Sequence, residues 1–293
     1  MSGASGLVGR SLQPSLREWG YEVVPLVRRA AGPGEIAWDT REGVLDIRSL
    51  EGFDAVIHLA GESIAAKRWR RAVKTGIRES RVRGTRLLCE GLAALERPPE
   101  VLLAASAIGF YGDGLEAALD EGSPQGKGFL AEVCADWEGA TAPAKAAGVR
   151  VVNLRIGVVL TPKGGALAKM LTPFKLGLGG PIGTGRQYVS WIALGDLLGA
   201  LGHCLREGSL SGPVNATAPG NLPQHDFART LAHVLHRPAF VPMPGPVVRL
   251  LMGKMGQALL LEGARVQPSK LLHSGFTFSF PTLEGALRHE LCL

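Results

Sequence analysis

The chain has 293 residues, 46% of them apolar and 20% charged, with a formal net charge of +6. These values describe an ordinary soluble globular protein with one large or two modest domains. No apolar run approaches membrane-spanning length and no signal peptide is visible, so we expect a cytoplasmic protein without a membrane partner.

The basic residues and the cysteines give no indication of a nucleic-acid site or a metal site. The basic excess lies largely between Lys67 and Arg86 and fits an anionic ligand, nucleic acid or no ligand at all. Such runs are most often solvated helix faces, and no zinc-finger or aromatic RNA-binding signature accompanies this one, so we expect no nucleic-acid partner. Four cysteines lie far apart without metal-ligand spacing, which predicts unpaired, mostly buried thiols in a reducing compartment and no metal site: Cys89, Cys134, Cys204 and Cys292.

The chain opens on a glycine loop that runs from Gly3 to Gly9. Alone, such a loop can be only a turn, but it also lets backbone N–H groups approach a phosphate at a helix N-terminus. A helix is predicted over 11–19, and strands are predicted over 21–27 and 54–61. This spacing predicts a nucleotide-binding α/β half. Its expected cofactor contacts are Gly3, Ser5, Gly6, Leu7 and Val8, and then Leu59, Ala60, Gly61 and Glu62 after the last of these strands.

A strand should precede a glycine loop of this kind, but only Met1 and Ser2 do so. In a doubly wound sheet that strand is central, and without it neighbouring strands would lose hydrogen-bond partners. We therefore expect the chain to be truncated at its N-terminus, with about five or six mostly apolar residues encoded upstream.

Residues after the strand predicted over 21–27 bear on the choice of cofactor. Arg28 and Arg29 stand where an acidic residue would bind a ribose 2′-hydroxyl, and arginine instead suits a 2′-phosphate. This predicts NADP(H), although two exposed surface arginines are the alternative. Asp46 and Ile47 follow, where Asp46 could contact the adenine edge or be a plain turn aspartate.

A long helix continues through Gly84–Leu88 until Pro98-Pro99, and a strand over 101–105 leads into Ser106–Gly112. Together with His58–Gly61, these segments resemble the extended short-chain dehydrogenases/reductases of the sugar-nucleotide epimerase type. The resemblance implies an α/β fold with a doubly wound parallel (Rossmann) sheet. It also implies that Arg155, on a strand predicted over 149–160, lies near the nicotinamide end of the cofactor; a structural ion pair is the alternative.

A narrower resemblance covers nearly the whole chain. The segments Gly128–Glu138, Ser190–Ile192 and Val214–Pro219, followed by a proline-rich C-terminal piece, are similar to an atypical subgroup of NAD(P)-dependent epimerase family proteins with a small C-terminal domain of unknown function. We expect an NADP(H)-binding domain over 1–222 and a small mixed lobe over 223–293, with the substrate site between them. Helices are predicted over 129–147, 227–235, 247–261 and 282–291, a linker over 238–246, and a strand over 275–280.

The catalytic pair of the short-chain reductases is absent. The three tyrosines are followed four residues later by Pro25, Leu115 and Ile192, so no Tyr-x-x-x-Lys occurs. Ser106 and Tyr111 remain as the candidate catalytic residues, with Lys127, Glu132 or water as other proton donors.

Two functions follow from these residues. The first is an NADP(H)-dependent oxidoreductase or epimerase acting on a small carbonyl or nucleotide-sugar substrate. Its turnover would be slow, because it has no tyrosine whose pKa is lowered by a lysine four residues later. The second is an NADP(H)-binding, redox-responsive regulator with little catalysis. The oligomeric state stays open.

Overall fold

The computed structural model describes residues 1–114 and 116–293. Its helices are α1 Leu7–Glu18, α2 Arg71–Ala93, α3 Phe129–Gly139, α4 Ala142–Ala146, α5 Gly165–Lys175, α6 Leu194–Arg206, α7 Gln224–Val234, α8 Gly245–Gly256, α9 Ser269–His273 and α10 Leu283–Leu291. Its strands are β1 Leu26–Val27, β2 Ile36–Asp39, β3 Val44–Leu45, β4 Ala55–His58, β5 Val101–Ala107, β6 Ala118–Leu119, β7 Arg150–Ile156, β8 Val158–Leu160, β9 Tyr188–Val189, β10 Trp191–Ala193, β11 Gly212–Ala216, β12 Leu222–Pro223 and β13 Arg265–Val266.

The chain folds into two compact units, each assembled from separate segments. Unit 1 comprises 1–106, 133–154 and 201–214, and unit 2 comprises 107–132, 155–200 and 215–293. The domain boundary expected at 222/223 does not coincide with this division, and it stays a prediction.

Unit 1 is built on parallel strand pairing, which confirms the predicted α/β class. One sheet has the order β11-β7-β5-β4, and β4 pairs with β5 in parallel from Ala55↔Val101 to His58↔Ala104. A second has the order β1-β2-β3, with β1 and β2 parallel. Ser2 forms parallel bridges to Leu26 of β1 and to His58 of β4, so this single residue lies where a doubly wound sheet has its central strand. The expected upstream residues stay a prediction.

The core of unit 1 explains why its strands are apolar throughout. Val101–Ala105 of β5 are all buried, as expected for a parallel strand covered on both faces. Leu88 and Leu92 of α2 are fully buried in the same cluster as Leu102 and Val151. The predicted helix behind the glycine loop is α1, which buries Leu12 and Leu16.

Unit 2 has its own core. Trp191 of β10, Phe227 and Leu231 of α7, and Leu283 and Leu287 of α10 are buried together. Helices α7 and α10 confirm two of the predicted C-terminal helices. Strand β8 pairs in parallel with β10, which brings Val158 opposite Trp191.

The strand predicted over 275–280 is wrong. The segment forms a turn and then irregular backbone after α9. Its alternating phenylalanines mimic a half-buried strand, but the backbone N–H groups of Ser279 and Phe280 donate to the Asp196 carboxylate at 2.8 and 3.0 Å. A carboxylate far away in sequence therefore takes the place of a neighbouring strand.

Several predicted elements are shorter or divided. Only Leu26–Val27 of the strand predicted over 21–27 pairs with a neighbour. The helix predicted over 129–147 ends at Gly139 and restarts with Pro143 in the first turn of α4. The strand predicted over 149–160 is interrupted at Gly157, where a Cβ would lie 2.8 Å from the Ser190 carbonyl oxygen. Helix α8 is kinked at Gly253, which has φ +59°, and passes into a π-helical segment, Gln257–Leu261.

Among the residues that the structure describes, no helix is both long enough and apolar enough to cross a bilayer.

Candidate cofactor site

The glycine loop is held against the end of β4 by contacts that leave no room for side chains. Gly3 has φ +70°, and a Cβ there would lie 2.7 Å from the Leu59 carbonyl carbon. A Cβ on Gly9 would lie 2.2 Å from the Gly3 oxygen. Since real Cβ atoms do not approach backbone so closely, both positions require glycine.

The N-terminus of α1 is open to an anion. Gly6 is its N-cap, no side chain caps the helix, and no acidic residue lies in the first turn. The first backbone N–H groups of a helix have no intrahelical partner, and they carry the positive end of the helix dipole. Residues 3–9 therefore form a cradle of the kind that binds phosphate, as the sequence predicts.

An arginine-rich cavity lies in the same unit. It is bounded on one side by Ala60, Gly61 and Glu62, which follow β4, and on the other by residues of α2 and of the segment after β1. Its described lining is Arg28, Trp38, Thr40, Arg41, Ala60, Gly61, Glu62, Gly76, Glu79, Ser80 and Arg83. The Arg83 guanidinium donates to the Arg41 carbonyl at 2.7 Å, which ties two of its basic walls together.

The structure separates the two arginines that the sequence treats as a pair. Arg28 lines the cavity. Arg29 instead forms an ion pair with Glu35 at 2.7 Å and is largely exposed. The hydrogen bond and charge of Glu35 raise the pKa of Arg29 above its ordinary value. The structure thus favours Arg28 as the anion ligand, while a role for Arg29 stays a prediction.

Asp46 has a local structural role. Its carboxylate caps the short 3₁₀ helix Ile47–Leu50 by accepting from Arg48 N, and it also accepts from the Ser49 hydroxyl. These hydrogen bonds, the one from Ser49 first, hold the pKa of Asp46 below its ordinary value. Neither Asp46 nor Ile47 is among the described residues that line the cavity. These contacts agree with a turn aspartate, and the adenine contact of Asp46 and Ile47 stays a prediction.

A buried chain of hydrogen bonds lies at the end of β4, and no local sequence pattern indicates it. The Ser2 hydroxyl contacts His58 Nδ1 at 2.6 Å, and His58 Nε2 contacts the Thr85 hydroxyl at 2.9 Å. Trp137 Nε1 donates to the same hydroxyl at 2.9 Å. Burial, and then the charge of the nearby amino terminus when it is protonated, lowers the pKa of His58 to about 4, so its ring is neutral at pH 7.

Ser106 lies at the carboxyl end of β5. Because His58 pairs with Ala104, Ser106 is two residues further along and is level with Ala60 on the neighbouring strand. Its hydroxyl is almost completely buried and donates to Glu138 Oε1 of α3 at 2.7 Å. The structure thus adds a carboxylate partner that the sequence analysis missed.

Tyr111 and Arg155 belong to unit 2, where they contact each other. The Tyr111 hydroxyl lies 2.8 Å from both the Asp120 carbonyl and Asn215 Oδ1, and it accepts from Arg155 Nη1 at 2.9 Å. The Arg155 guanidinium lies 3.5 Å from the centre of the Phe110 ring. Tyr111 is only 2% exposed, and burial raises the pKa of its phenol despite Arg155. This geometry is that of a structural network; the cofactor role of Arg155 and the catalytic role of Tyr111 stay predictions.

Arg41 and Arg83 are candidate ligands that the sequence analysis missed. They come from different segments, and no motif spacing links them to Arg28. The only local signal is that Glu79 and Arg83 are four residues apart on α2, which places them on one helix face.

No cluster of three or more potential metal ligands occurs within the described residues.

Two family models match the chain. The model described as the NAD dependent epimerase/dehydratase family matches residues 1–216, and a domain of unknown function, DUF1731, matches residues 243–290. These matches confirm the resemblance recognised in the sequence.

Individual proteins are similar along the whole chain. The epimerase family protein MT2273 of Mycobacterium tuberculosis is 40% identical over 288 residues, covering 98% of this chain and 95% of the relative. The crystal structure of human epimerase family protein SDR39U1 (isoform 2) with NADPH matches with a TM-score of 0.90 at 36% identity, covering 100% of this chain and 98% of that one. A nucleoside-diphosphate sugar epimerase from Corynebacterium glutamicum matches with a TM-score of 0.83 at 36% identity, covering 99% of this chain and 57% of that one.

Proposed function

Since the chain belongs to the NAD dependent epimerase/dehydratase family, we propose that it is an NADP(H)-binding oxidoreductase-like protein. The observation that carries the proposal is the uncapped, glycine-walled N-terminus of α1 in the same unit as a cavity lined by Arg28, Arg41 and Arg83. The NADPH in the human relative supports it.

The residues present fit this cofactor. Glycine at positions 3 and 9 lets the loop pack closely on the backbone after β4 and at the start of α1, and the uncapped N-terminus of α1 at Gly6 leaves backbone N–H groups for a pyrophosphate. A 2′-phosphate carries more charge than a ribose hydroxyl, and guanidinium groups bind it through charge-assisted hydrogen bonds. Arg28, with Arg41 and Arg83 beside it, would supply them. Glu62 and Glu79 on the same wall would repel a phosphate, so we assign them to hydroxyl or amino groups.

The cofactor and the protein side chains would perform different steps of the reaction. When bound, the cofactor supplies or accepts a hydride. The chain must then hold or move one proton at a substrate oxygen. Ser106 is the hydroxyl at the strand end beside the cradle, and its bond to Glu138 orients it. We assign the proton to this pair, for a substrate with a carbonyl or a secondary hydroxyl, such as a nucleotide-linked sugar.

The missing Tyr-x-x-x-Lys limits the rate. A positioned acid or base typically contributes 10²–10⁴-fold to catalysis. The phenol nearest Ser106 in sequence, Tyr111, is enclosed by hydrogen bonds within unit 2. We therefore expect slow turnover, with activity on ordinary sugar-nucleotide epimerase substrates near background. The same enclosure favours a second candidate, an NADP(H)-binding regulatory protein with little or no catalysis.

Cofactor affinity tests the binding proposal. Dissociation constants for NADPH and NADH, measured by calorimetry, should favour NADPH by roughly ten- to a hundredfold, since a hydrogen bond to a charged group is worth about 1.5–3 kcal/mol. Arg28→Ala should lose most of this preference. Arg29→Ala is the matched control, since Arg29 is paired with Glu35. Equal affinities in the wild type, or an unchanged preference when both arginines are replaced, would refute the assignment.

Turnover separates the two candidate functions. NADPH oxidation is followed against a panel of carbonyl compounds and nucleotide sugars. Turnover that falls in Ser106→Ala supports the oxidoreductase, and tight cofactor binding without turnover supports the regulator. Turnover of uridine diphosphate sugars at roughly 1–10³ s⁻¹, the range of ordinary enzymes, would contradict the inference from the missing pair.

A further inference from the structure

Unit 2 carries a group of exposed large apolar side chains that its core does not use. Phe240 is 76% exposed, Leu250 75%, Leu176 69% and Leu251 65%. We call the following set the apolar patch: Leu176, Leu178, Phe240, Val241, Met243, Val247, Leu250 and Leu251.

The patch is held together by backbone hydrogen bonds rather than being scattered along the chain. The segment after α5 runs beside the segment before α8: Val241 N donates to Gly179 O at 3.2 Å, and Met243 N donates to Pro181 O at 2.9 Å. Ile182 and Met243 also form a parallel bridge. The apolar side chains of both segments are therefore displayed by one piece of ordered backbone.

Helix α8 continues the patch with an unusual face. Val247, Leu250 and Leu251 follow the i, i+3, i+4 spacing of a single helical stripe, and all three are exposed. The buried residues of α8 are Val248, next to this stripe, and Met255 and Gly256, after the kink at Gly253. Solvent-facing stripes of globular helices are normally polar, so an apolar stripe on this side marks an interaction surface.

The segments that supply the patch are basic, and the first acidic residue after them, Glu262, is linked through Gln257 to Arg249 at the edge of the patch. Exposed basic residues accompany it: Lys175 and Arg237, joined by a 2.9 Å bond from Arg237 Nε to the Lys175 carbonyl, and Arg249 and Lys254 on α8. No aspartate or glutamate occurs over residues 139–195 or 227–261, the stretches that supply the patch. The patch and these four residues, its basic rim, would therefore attract an anionic partner.

We propose that the apolar patch and its basic rim dock on the surface of an anionic lipid bilayer. Leucine and phenylalanine on one face with lysine and arginine beside them are typical of helices that lie in the membrane interface. Each basic residue near such a surface adds to the attraction. The sequence predicts no membrane partner because no apolar run can span a bilayer, but interfacial docking requires no such run.

Two other occupants fit less well. A second copy placed about a twofold axis would bring the two basic rims against each other. In protein–protein interfaces lysine is depleted, and leucine and valine are under-represented among the residues that contribute most to binding. The lipid surface is the occupant that satisfies both the apolar side chains and the exposed basic residues beside them.

The test is sedimentation of the full chain with large vesicles. One preparation contains phosphatidylcholine alone, and the other contains about one third phosphatidylserine. We expect binding to the anionic vesicles that is at least tenfold stronger than to the neutral ones and weakens with salt. The double variant Leu250→Ser, Leu251→Ser should bind at least tenfold more weakly. Lys175→Gln with Lys254→Gln should lose about fivefold for each charge.

Matched controls separate the patch from general charge and hydrophobicity. Val44→Ser removes an apolar side chain that is 60% exposed in unit 1. Arg48→Gln with Lys67→Gln removes the same charge as the lysine pair, but from unit 1. Thermal unfolding checks that each variant is folded. Four outcomes would overturn the proposal. The protein could sediment with neither kind of vesicle, or bind both equally well. The control variants could lose as much binding as the patch variants, or the chain could form a dimer that the double variant Leu250→Ser, Leu251→Ser dissociates.

Discussion

Thr85→Val tests the buried network under the cofactor cradle. The Thr85 hydroxyl is fully buried, receives the Trp137 indole N–H and shares a hydrogen bond with His58 Nε2. Valine has nearly the same shape, so packing is retained while both neighbours lose a partner. A buried polar group left without a hydrogen bond costs about 1–3 kcal/mol, so the loss is expected at about 2–6 kcal/mol. That is a large share of the 5–15 kcal/mol typical of a folded protein.

Urea unfolding followed by circular dichroism measures this loss. Thr75→Val, an exposed position on the same helix, is the matched control and should change the free energy of unfolding by no more than about 0.5 kcal/mol. A loss below about 1 kcal/mol for Thr85→Val, or one equal to that of Thr75→Val, would refute the claim that the network is buried and fully bonded.

Three further outcomes are expected. The pKa of His58 falls from 6.5 to about 4 on folding, so stability is present above pH 6.5 and is lost as pH falls toward 4; at about 1.36 kcal/mol per pKa unit this is about 3 kcal/mol. The buried Met1 amino group, whose pKa burial lowers to about 5, adds a loss of its own in both proteins, so urea titrations should show a loss that is about 3 kcal/mol smaller in His58→Asn than in the wild type; equal pH slopes would contradict the assignment. Gly9→Ala should weaken NADPH binding at least tenfold by calorimetry, because its Cβ would lie 2.2 Å from the Gly3 oxygen; an unchanged dissociation constant would show that the cradle is not the site. Tyr111→Phe should lower the free energy of unfolding by about 1–3 kcal/mol, since Asn215 and Arg155 lose a buried partner, and a variant as stable as the wild type would argue against a structural network.

Elements with strong local signals were predictable from the sequence. Helix α1 follows a glycine loop, β5 is an uninterrupted apolar run, and α7 and α10 show helical spacing of apolar residues. The strand expected over 275–280 had an equally clear local pattern and was still wrong. Its backbone is paired with Asp196, and nothing within the segment records a partner about 80 residues away.

Some residues of the candidate site were likewise predictable from the sequence, and others were not. The glycine cradle, Ala60, Gly61 and Arg28 could be identified because a phosphate site imposes a spacing on one short piece of chain. Arg41 and Arg83 could not, since they reach the cavity from separate segments. Glu138 was missed because it meets Ser106 only when α3 packs against β5.

The sequence by itself determined the family, the glycine loop and the lack of a Tyr-x-x-x-Lys pair, because each depends on which residues stand at fixed spacing along the chain. Only the tertiary structure decided that Arg28 lines the cavity while Arg29 pairs with Glu35, that Tyr111 is enclosed, and that eight large apolar side chains of unit 2 are exposed. Burial and hydrogen-bond pairing set these outcomes, and both depend on groups that are distant in sequence and meet only when the chain is folded.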